Sequence, residues 1–164
     1  MILFPSRVGF EKTGEGLLFY EGQMLKDIQI NTKNIDVEFP RFKSWKLQMC
    51  YVPREELTAI RNDAASMAFN TISRQKEEKV DTDKFMDVYV RKAVKGWTGL
   101  TYEMVMKLVP VELDESDLTK EIPYSHEDAM WLVKNSSEFD TFISETMNQV
   151  DLFSVTRKAD QLKK

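Results

Sequence analysis

Two residues of this sequence could act together as a nucleophile and its base: the single cysteine, Cys50, and the single histidine, His126. Such a pair supports covalent catalysis only if the fold brings the side chains together, and their wide separation along the chain gives no sign of contact. Because His126 follows a plausible helix N-cap, Ser125, we interpret it as a solvent-exposed histidine in the first turn of a helix. A lone cysteine also excludes a disulfide framework and favours a reducing, cytosolic setting.

A second candidate for chemistry is the acidic segment 112–121, in which five carboxylates are opposed by one lysine. Asp114, Glu115 and Asp117 carry the oxygen ligands that a hard cation prefers, but the segment lacks the glycine turn and the ligand spacing of a calcium loop. We therefore interpret it as an exposed acidic loop and expect no metal site.

Other catalytic signals are missing from the sequence. Neither GxxxxGK[ST] nor GxGxxG occurs, so no phosphate-binding loop is indicated. Adjacent carboxylates such as Glu55–Glu56 and Glu77–Glu78 point in different directions on a helix, which does not make an acid/base couple. We expect a protein that is not an enzyme and has no cofactor; a small hydrolase would instead need acidic residues with shifted pKa values converging in a cleft.

The composition is that of one folded domain that stays where it is made. Of the 164 residues 42% are hydrophobic and 30% charged, with a net charge of -4, which disfavours nucleic acid and anionic membranes as partners. The longest apolar run, residues 129–133, is far below the ~18 residues that suggest a membrane-spanning helix. The N-terminus lacks the features of a signal peptide.

Alternating apolar residues predict a small antiparallel sheet near the N-terminus. The alternation occurs in three runs, 28–30, 35–39 and 45–51, which we interpret as three short strands. Pro40 begins the hairpin loop between the second and third runs, and Pro53 ends the third by removing a backbone donor. A sheet with one apolar face needs a cover.

Helical spacing of apolar residues predicts about five helices as that cover. The first begins at Pro53 or Arg54 and runs to about Gln75. The others are marked by their start and stop residues, and they begin at Asp81 (ending at Gly96), at Thr101 (ending at Pro110), at Ser125 and at Ser137. The predicted fold class is thus α+β: a small N-terminal antiparallel β-sheet of about three strands followed by a mainly helical bundle.

The predicted organisation is a single α+β domain with two flanking segments. The domain covers residues 25–153. Residues 1–24, which contain four of the six glycines, are interpreted as a loosely structured N-terminal arm, and residues 154–164 as a basic C-terminal tail.

The helical half carries more apolar side chain than one core-facing stripe can hold. Five consecutive apolar residues at 129–133, turning ~100° each, surround the helix axis, so part of the run must meet another surface unless the helix is fully enclosed. Nine methionines add flexible side chains that either fill the core or adapt to a partner. A protein partner or a second subunit is the simplest recipient.

Several short motifs follow one another in a distinctive order. They are residues 35–40, LQMCYVPREEL at 47–57, GWTGLT at 96–101, LVP at 108–110, the acidic stretch, IPYSHEDA at 122–129, and SEFD at 137–140 continuing to LF at 152–153. In this order and spacing the chain resembles the tail assembly chaperones of long-tailed (siphovirus-type) bacteriophages. The resemblance covers about residues 25–153.

The resemblance implies a non-enzymatic chaperone of the host cytoplasm that is absent from the mature virion. Such chaperones bind the long, helical tape measure protein, keep it soluble and help the tail tube protein polymerise around it. In many phages a frameshifted longer form recruits the tube protein, and the terminal Lys163–Lys164 is compatible with slippery codons. The resemblance also implies a homo-oligomer.

We predict that a partner helix binds in an apolar groove between helices of this chain. The residues expected to contribute to that groove, chosen from the surplus apolar faces, are Trp97, Met104, Met130, Trp131 and Phe142. The alternative function is a structural tail or head-tail connector component, which would be present in purified virions.

Overall fold

Most of the predicted domain is described by the computed structural model, which covers residues 25–30 and 32–154. The arm predicted at 1–24 lies outside the described residues, and so does the basic tail from residue 155 onward.

The chain divides into two units, Met1–Ile30 and Asn31–Lys164. In the described part of the first unit, a 3-10 turn at Leu25–Asp27 is closed by the N–H of Ile28, which donates to the carbonyl of Leu25 at 3.2 Å. The prediction of a strand at 28–30 is therefore wrong. Two alternating isoleucines offer too few positions to sustain a ladder against a neighbouring strand.

The second unit is α+β, which confirms the predicted fold class. A short 3-10 turn at Glu115–Asp117 interrupts the acidic segment, and a helical turn follows at 150–154. In chain order the elements are β1 (Asn34–Phe39), β2 (Phe42–Cys50), α1 (Arg54–Ala64), β3 (Ala65–Asn70), β4 (Gln75–Val80), α2 (Thr82–Ala93), β5 (Val94–Thr98), α3 (Tyr102–Leu108), α4 (His126–Asn135) and α5 (Ser137–Asn148).

The main sheet has three antiparallel strands in the order β1-β2-β5, so β2 is central. Leu47 of β2 lies opposite Val37 on one side and opposite Trp97 on the other. The predicted count of three strands is confirmed, but the third strand comes from a segment expected to end a helix at Gly96. A five-residue strand containing one glycine is too short to show an alternating pattern.

The helix predicted from Arg54 to about Gln75 ends at Ala64, and a hairpin of β3 and β4 takes its place. The side-chain oxygen of Asn70 accepts hydrogen bonds from the N–H groups of Ile72 (2.9 Å) and Ser73 (3.3 Å), which stabilises the turn between the strands. Arg74 completes the turn at a φ of 54°. The hydrogen bonds from the backbone to the Asn70 side chain thus favour a turn over continuation of the helix.

The core lies between the inner face of the main sheet and helices α2, α4 and α5. Its centre is aromatic: Trp45 stacks on Phe139 with ring centroids 5.5 Å apart and contacts Phe39 at 4.6 Å. Of the residues that alternate inward from β1 and β2, Val37 is half-buried and the others are buried, and these are Ile35, Phe39, Trp45, Leu47 and Met49. The period-two pattern therefore identified the sheet face correctly.

Three side-chain caps define the helix starts. Asp81 accepts from the N–H of Lys84 at 3.1 Å and Ser125 from that of Asp128 at 3.0 Å, as predicted. The predicted cap Ser137 is wrong by one residue, because buried Ser136 accepts from the N–H of Phe139 at 3.2 Å. Ser136 is both the C-cap of α4 and the N-cap of α5, so it is the one residue between the two helices.

Candidate protein-binding groove

An apolar groove of about 290 Å³ lies between α3, α4 and the segment 111–122. Apolar and aromatic side chains form most of its surface, and Asp128 is the one charged residue in its lining. The residues that line it are Leu100, Tyr102, Val105, Val111, Leu113, Ile122, Asp128, Trp131 and Leu132. An opening of this size accepts a few side chains of a partner rather than a whole element.

The segment 111–122 is held in place by the start of α3. Thr101 makes no side-chain cap, so the first N–H groups of the helix need other acceptors. The N–H of Tyr102 donates to the carbonyl of Lys120 at 3.3 Å, and that of Glu103 to the carbonyl of Leu118 at 3.0 Å. This segment, 111–122, is the outer wall of the groove. Backbone hydrogen bonds, which do not depend on the side chains, attach it to the start of α3.

Gly99 lies between the end of β5 and Leu100, which lines the groove. Its φ of +81° suits glycine, and a Cβ at this position would lie 2.0 Å from the carbonyl oxygen of Ser44. Its N–H donates to the carboxylate of Glu121 at 2.9 Å, while the N–H of Ile122 donates to the carbonyl of Leu100 at 2.7 Å. The GWTGLT motif thus serves to join β5 to the wall.

Trp97 supports the groove from beneath and is buried. Its indole N–H donates to the carbonyl of Ile122 at 2.9 Å, and its ring contacts Tyr124 edge-to-face at 4.9 Å. The Tyr124 hydroxyl donates to the carbonyl of Val94 at 3.0 Å. Burial raises the pKa of Tyr124. Trp97 therefore positions the wall and does not face the opening.

Trp131 is the large apolar side chain that α4 presents to solvent at the groove, with 41% of its surface exposed. In the run 129–133, Ala129, Leu132 and Val133 are buried and Met130 is half-buried. The helix is therefore not fully enclosed. The alternative of a fully buried α4 does not hold for this chain.

The other predicted groove residues lie elsewhere. Met104 and Met130 are partly buried and pack against the core, and neither lines the groove. Phe142 is buried against Phe39, with ring centroids 4.9 Å apart, and forms part of a second hollow rimmed by Glu138 and Glu145. Of the five predicted residues, Trp131 lines the groove, Trp97 lies beneath it and is bonded to the groove-lining Ile122, and the remaining three lie apart from it.

The groove carries negative charge at its edge. The Asp128 carboxylate accepts from the Ser125 hydroxyl at 2.7 Å, and the adjoining segment 112–117 exposes Glu112, Asp114 and Glu115. Because these carboxylates border an apolar surface, the complementary partner is an apolar stripe flanked by basic side chains.

The sequence patterns did not reveal three of the four most exposed large apolar residues of the described chain. On the β3–β4 hairpin, Met67 is 66% exposed, Phe69 62% and Ile72 94%. The helix predicted from Pro53 or Arg54 to about Gln75 includes all three of them. The alternation of Ala65, Met67 and Phe69 before Asn70 is the signal that identifies a strand and turn here.

The candidate catalytic residues do not meet. His126 is mostly buried, with its Nε2 2.6 Å from Asp87 Oδ1, so the predicted solvent-exposed histidine is wrong; the cause is the packing of α4 on α2. The hydrogen bond from His126 lowers the pKa of Asp87. The Cys50 thiol donates to the carbonyl of Thr32 at 3.1 Å, and burial raises its pKa.

Within residues 25–30 and 32–154 no group of three or more His, Cys, Asp or Glu side chains is arranged to hold a metal ion. In the same residues no helix combines the length and apolar character needed to cross a bilayer.

Comparison with known proteins identifies a family for this chain. Residues 54–164, more than half of the chain, match the model of a family described as YdaY prophage protein. The match begins at the first residue of α1 and includes every residue that lines the groove. No curated protein and no solved structure matches the chain.

Proposed function

We propose that this chain is a tail assembly chaperone of a long-tailed phage. The chain belongs to the YdaY prophage protein family and is therefore phage-derived. In this role it binds the tape measure protein in the host cytoplasm, keeps it soluble and helps the tail tube protein polymerise around it. It leaves before the virion is complete. The motif order in residues 25–153 supports this assignment.

The observation that carries the proposal is the exposed Trp131 at the border of the apolar groove. A lone exposed tryptophan is costly to hydrate, and a groove beside it offers a partner side chain both an apolar floor and a rigid aromatic edge. Tryptophan is among the residues that most often dominate binding energy at protein interfaces. The groove therefore supports binding of another protein better than it supports chemistry.

The chemistry of the groove indicates the kind of client. An amphipathic helix inserts side chains at positions i, i+3 and i+4 into such an opening. Asp128 and the exposed carboxylates of segment 112–117 attract lysine or arginine beside the apolar stripe. A long helical protein such as a tape measure protein supplies this pattern many times, so several chaperones can bind one client.

Co-expression with the tape measure protein of the same phage tests the proposal. We expect the wild-type chain to increase the soluble fraction of the client and to co-purify with it. Trp131→Glu is expected to abolish co-purification while leaving the circular-dichroism spectrum unchanged, because Trp131 is exposed and does not belong to the core cluster. Met106→Glu is the matched control, since Met106 is similarly exposed on α3 and does not line the groove.

Two results would contradict the proposal. One is retention of the client by Trp131→Glu at the wild-type level. The other is detection of the chain in stoichiometric amounts in purified virions by mass spectrometry, which is the result expected for a structural tail or head-tail connector component.

A further inference from the structure

The β3–β4 hairpin forms a two-stranded sheet separate from the main sheet. An isolated hairpin of this size is marginally stable in water, and this one carries exposed Met67 and Phe69 on one face. The two residues lie opposite Glu78 and Lys76 respectively, so these four side chains share that face.

The ladder leaves β4 with an unpaired edge. The N–H of Asp81 donates to the carbonyl of Ala64 at 2.8 Å, and hydrogen-bonded pairs alternate with non-hydrogen-bonded pairs along an antiparallel ladder. The pairs Met67–Glu78 and Phe69–Lys76 are therefore of the non-hydrogen-bonded kind. Their N–H and C=O groups in β4 point away from β3, and no strand of the described chain pairs with them.

The charges on this edge of β4 are complementary to those on the same edge of a second, antiparallel copy. Lys76 and Glu78 are two residues apart and on one face. If a second copy of β4 lies antiparallel, related by a twofold axis through Glu77, Lys76 of each copy lies opposite Glu78 of the other. Both pairs fall at the positions whose backbone groups point outward, so each pair combines two backbone hydrogen bonds with opposite charges.

The side chain of Glu77, which would lie on the axis, is already bound within its own hairpin. Its carboxylate accepts from the Asn70 amide at 2.8 Å and from the Ser73 hydroxyl at 2.6 Å. These bonds direct it toward β3 and away from the joining edge. An axis through Glu78 instead would oppose Glu78 to itself and Lys76 to Val80, which loses the attraction on this face.

From these observations we infer that β4 pairs with β4 of a second copy of this chain, antiparallel and with the twofold axis at Glu77. The product is a four-stranded sheet in the order β3-β4-β4-β3, with Met67 and Phe69 of both copies on one face. Glu78 forms a half-exposed salt bridge with Arg61, 3.6 Å long, and a pair this exposed is weak enough for Glu78 to exchange it for the new partner. This inference is independent of the proposed client binding.

Sedimentation velocity of the full chain at low salt, from 10 µM up to about 1 mM, tests the inference, because short joined edges give a weak dimer. Lys76→Glu and Glu78→Lys each replace two attractive pairs by two repulsive ones, so we expect either variant alone to dimerise at least about tenfold more weakly. An equimolar mixture of the two is expected to form a heterodimer at least as tight as the wild-type homodimer, since both pairs are then attractive.

The mixture also shows that the variants are folded, because a heterodimer requires two intact hairpins. A wild-type chain that stays monomeric throughout this concentration range overturns the inference. So does a wild-type dimer that both single variants retain, since its contact must then lie elsewhere.

The register has its own test by disulfide cross-linking under mild oxidation. Glu77→Cys places a cysteine directly on the axis, facing the same residue of the other copy, and is expected to cross-link. Gln75→Cys is the matched control on the same face of β4, where it lies opposite Lys79 and is not expected to cross-link. Cross-linking by Gln75→Cys in preference to Glu77→Cys overturns the register.

Discussion

The indole N–H of Trp97 donates to the backbone carbonyl of Ile122 at 2.9 Å and so connects β5 to the outer wall of the groove. One end of this bond is in the central sheet and the other is in an irregular segment beside the surface. Ile122 lines the groove and Trp97 does not, so a core residue helps to hold the groove in its shape.

Trp97→Phe is expected to destabilise the chain by about 2 kcal/mol, because the Ile122 carbonyl loses its donor and the smaller ring fills less space. Urea unfolding followed by circular dichroism measures the change. We also expect faster hydrogen exchange at the N–H of Ile122. An unchanged midpoint would show that water replaces the indole without cost.

Gly99→Ala is expected to destabilise the chain by more than about 3 kcal/mol or to prevent folding, since it combines an unfavourable φ with a clash against Ser44. Gly96→Ala is the control: its nearest atom is the flexible end of Gln48 at 3.8 Å. That variant is expected to stay within about 0.5 kcal/mol of wild type or to gain stability. Equal losses in thermal unfolding would contradict the role assigned to Gly99.

Ser136→Ala is expected to cost about 1–2 kcal/mol, because a buried cap is removed from the junction of α4 and α5. Ser137→Ala is expected to change stability by less than about 0.5 kcal/mol, since Ser137 is the first residue of the helix and not its cap. Thermal melts of the two variants compare neighbouring serines directly. The reverse order would restore the sequence-based assignment of the cap.

The contact between Asp87 and His126 predicts a loss of stability in acid. The hydrogen bond from His126 lowers the pKa of Asp87 below its ordinary value of 3.8 in the folded chain. A carboxylate with a lowered folded pKa stabilises the fold above its unfolded pKa, and that stability is lost as pH falls through the folded value. The expected loss therefore lies below about pH 4.

Melting temperatures of wild type and Asp87→Asn between pH 7 and pH 3 test this prediction. The two curves are expected to converge as pH falls below the ordinary pKa of Asp87, because the variant has no carboxylate to protonate at this position. A constant difference over the entire range would show that the contact does not depend on the charge of Asp87.

Much of the fold could be predicted from local patterns. The inward face of β1 and β2, the caps Asp81 and Ser125, and the α+β class follow from residue spacing and from side chains that bond to nearby backbone. Such signals involve neighbours within a few positions, so the sequence alone determines them.

The candidate site could be predicted only in part. Trp131 was identified because five apolar residues cannot share one helix face, and that argument is geometric and local. Trp97 and Phe142 are buried by contacts with distant residues, Ile122 and Phe39 respectively. Such contacts leave no local pattern, so the sequence placed both residues on the same surface as Trp131. Periodicity shows that a side chain is apolar, but not which part of the chain covers it.

The remaining differences also have a tertiary origin. The segment 94–98 is a strand because β2 offers it an unpaired edge, and residues 65–80 form a hairpin because pairing across the Asn70 turn outweighs a continuing helix. The sequence by itself determined the composition of the core and where most helices start. The tertiary structure decided which strand joins the sheet and which apolar side chains remain exposed, because both depend on free energies of contact between residues far apart in the chain.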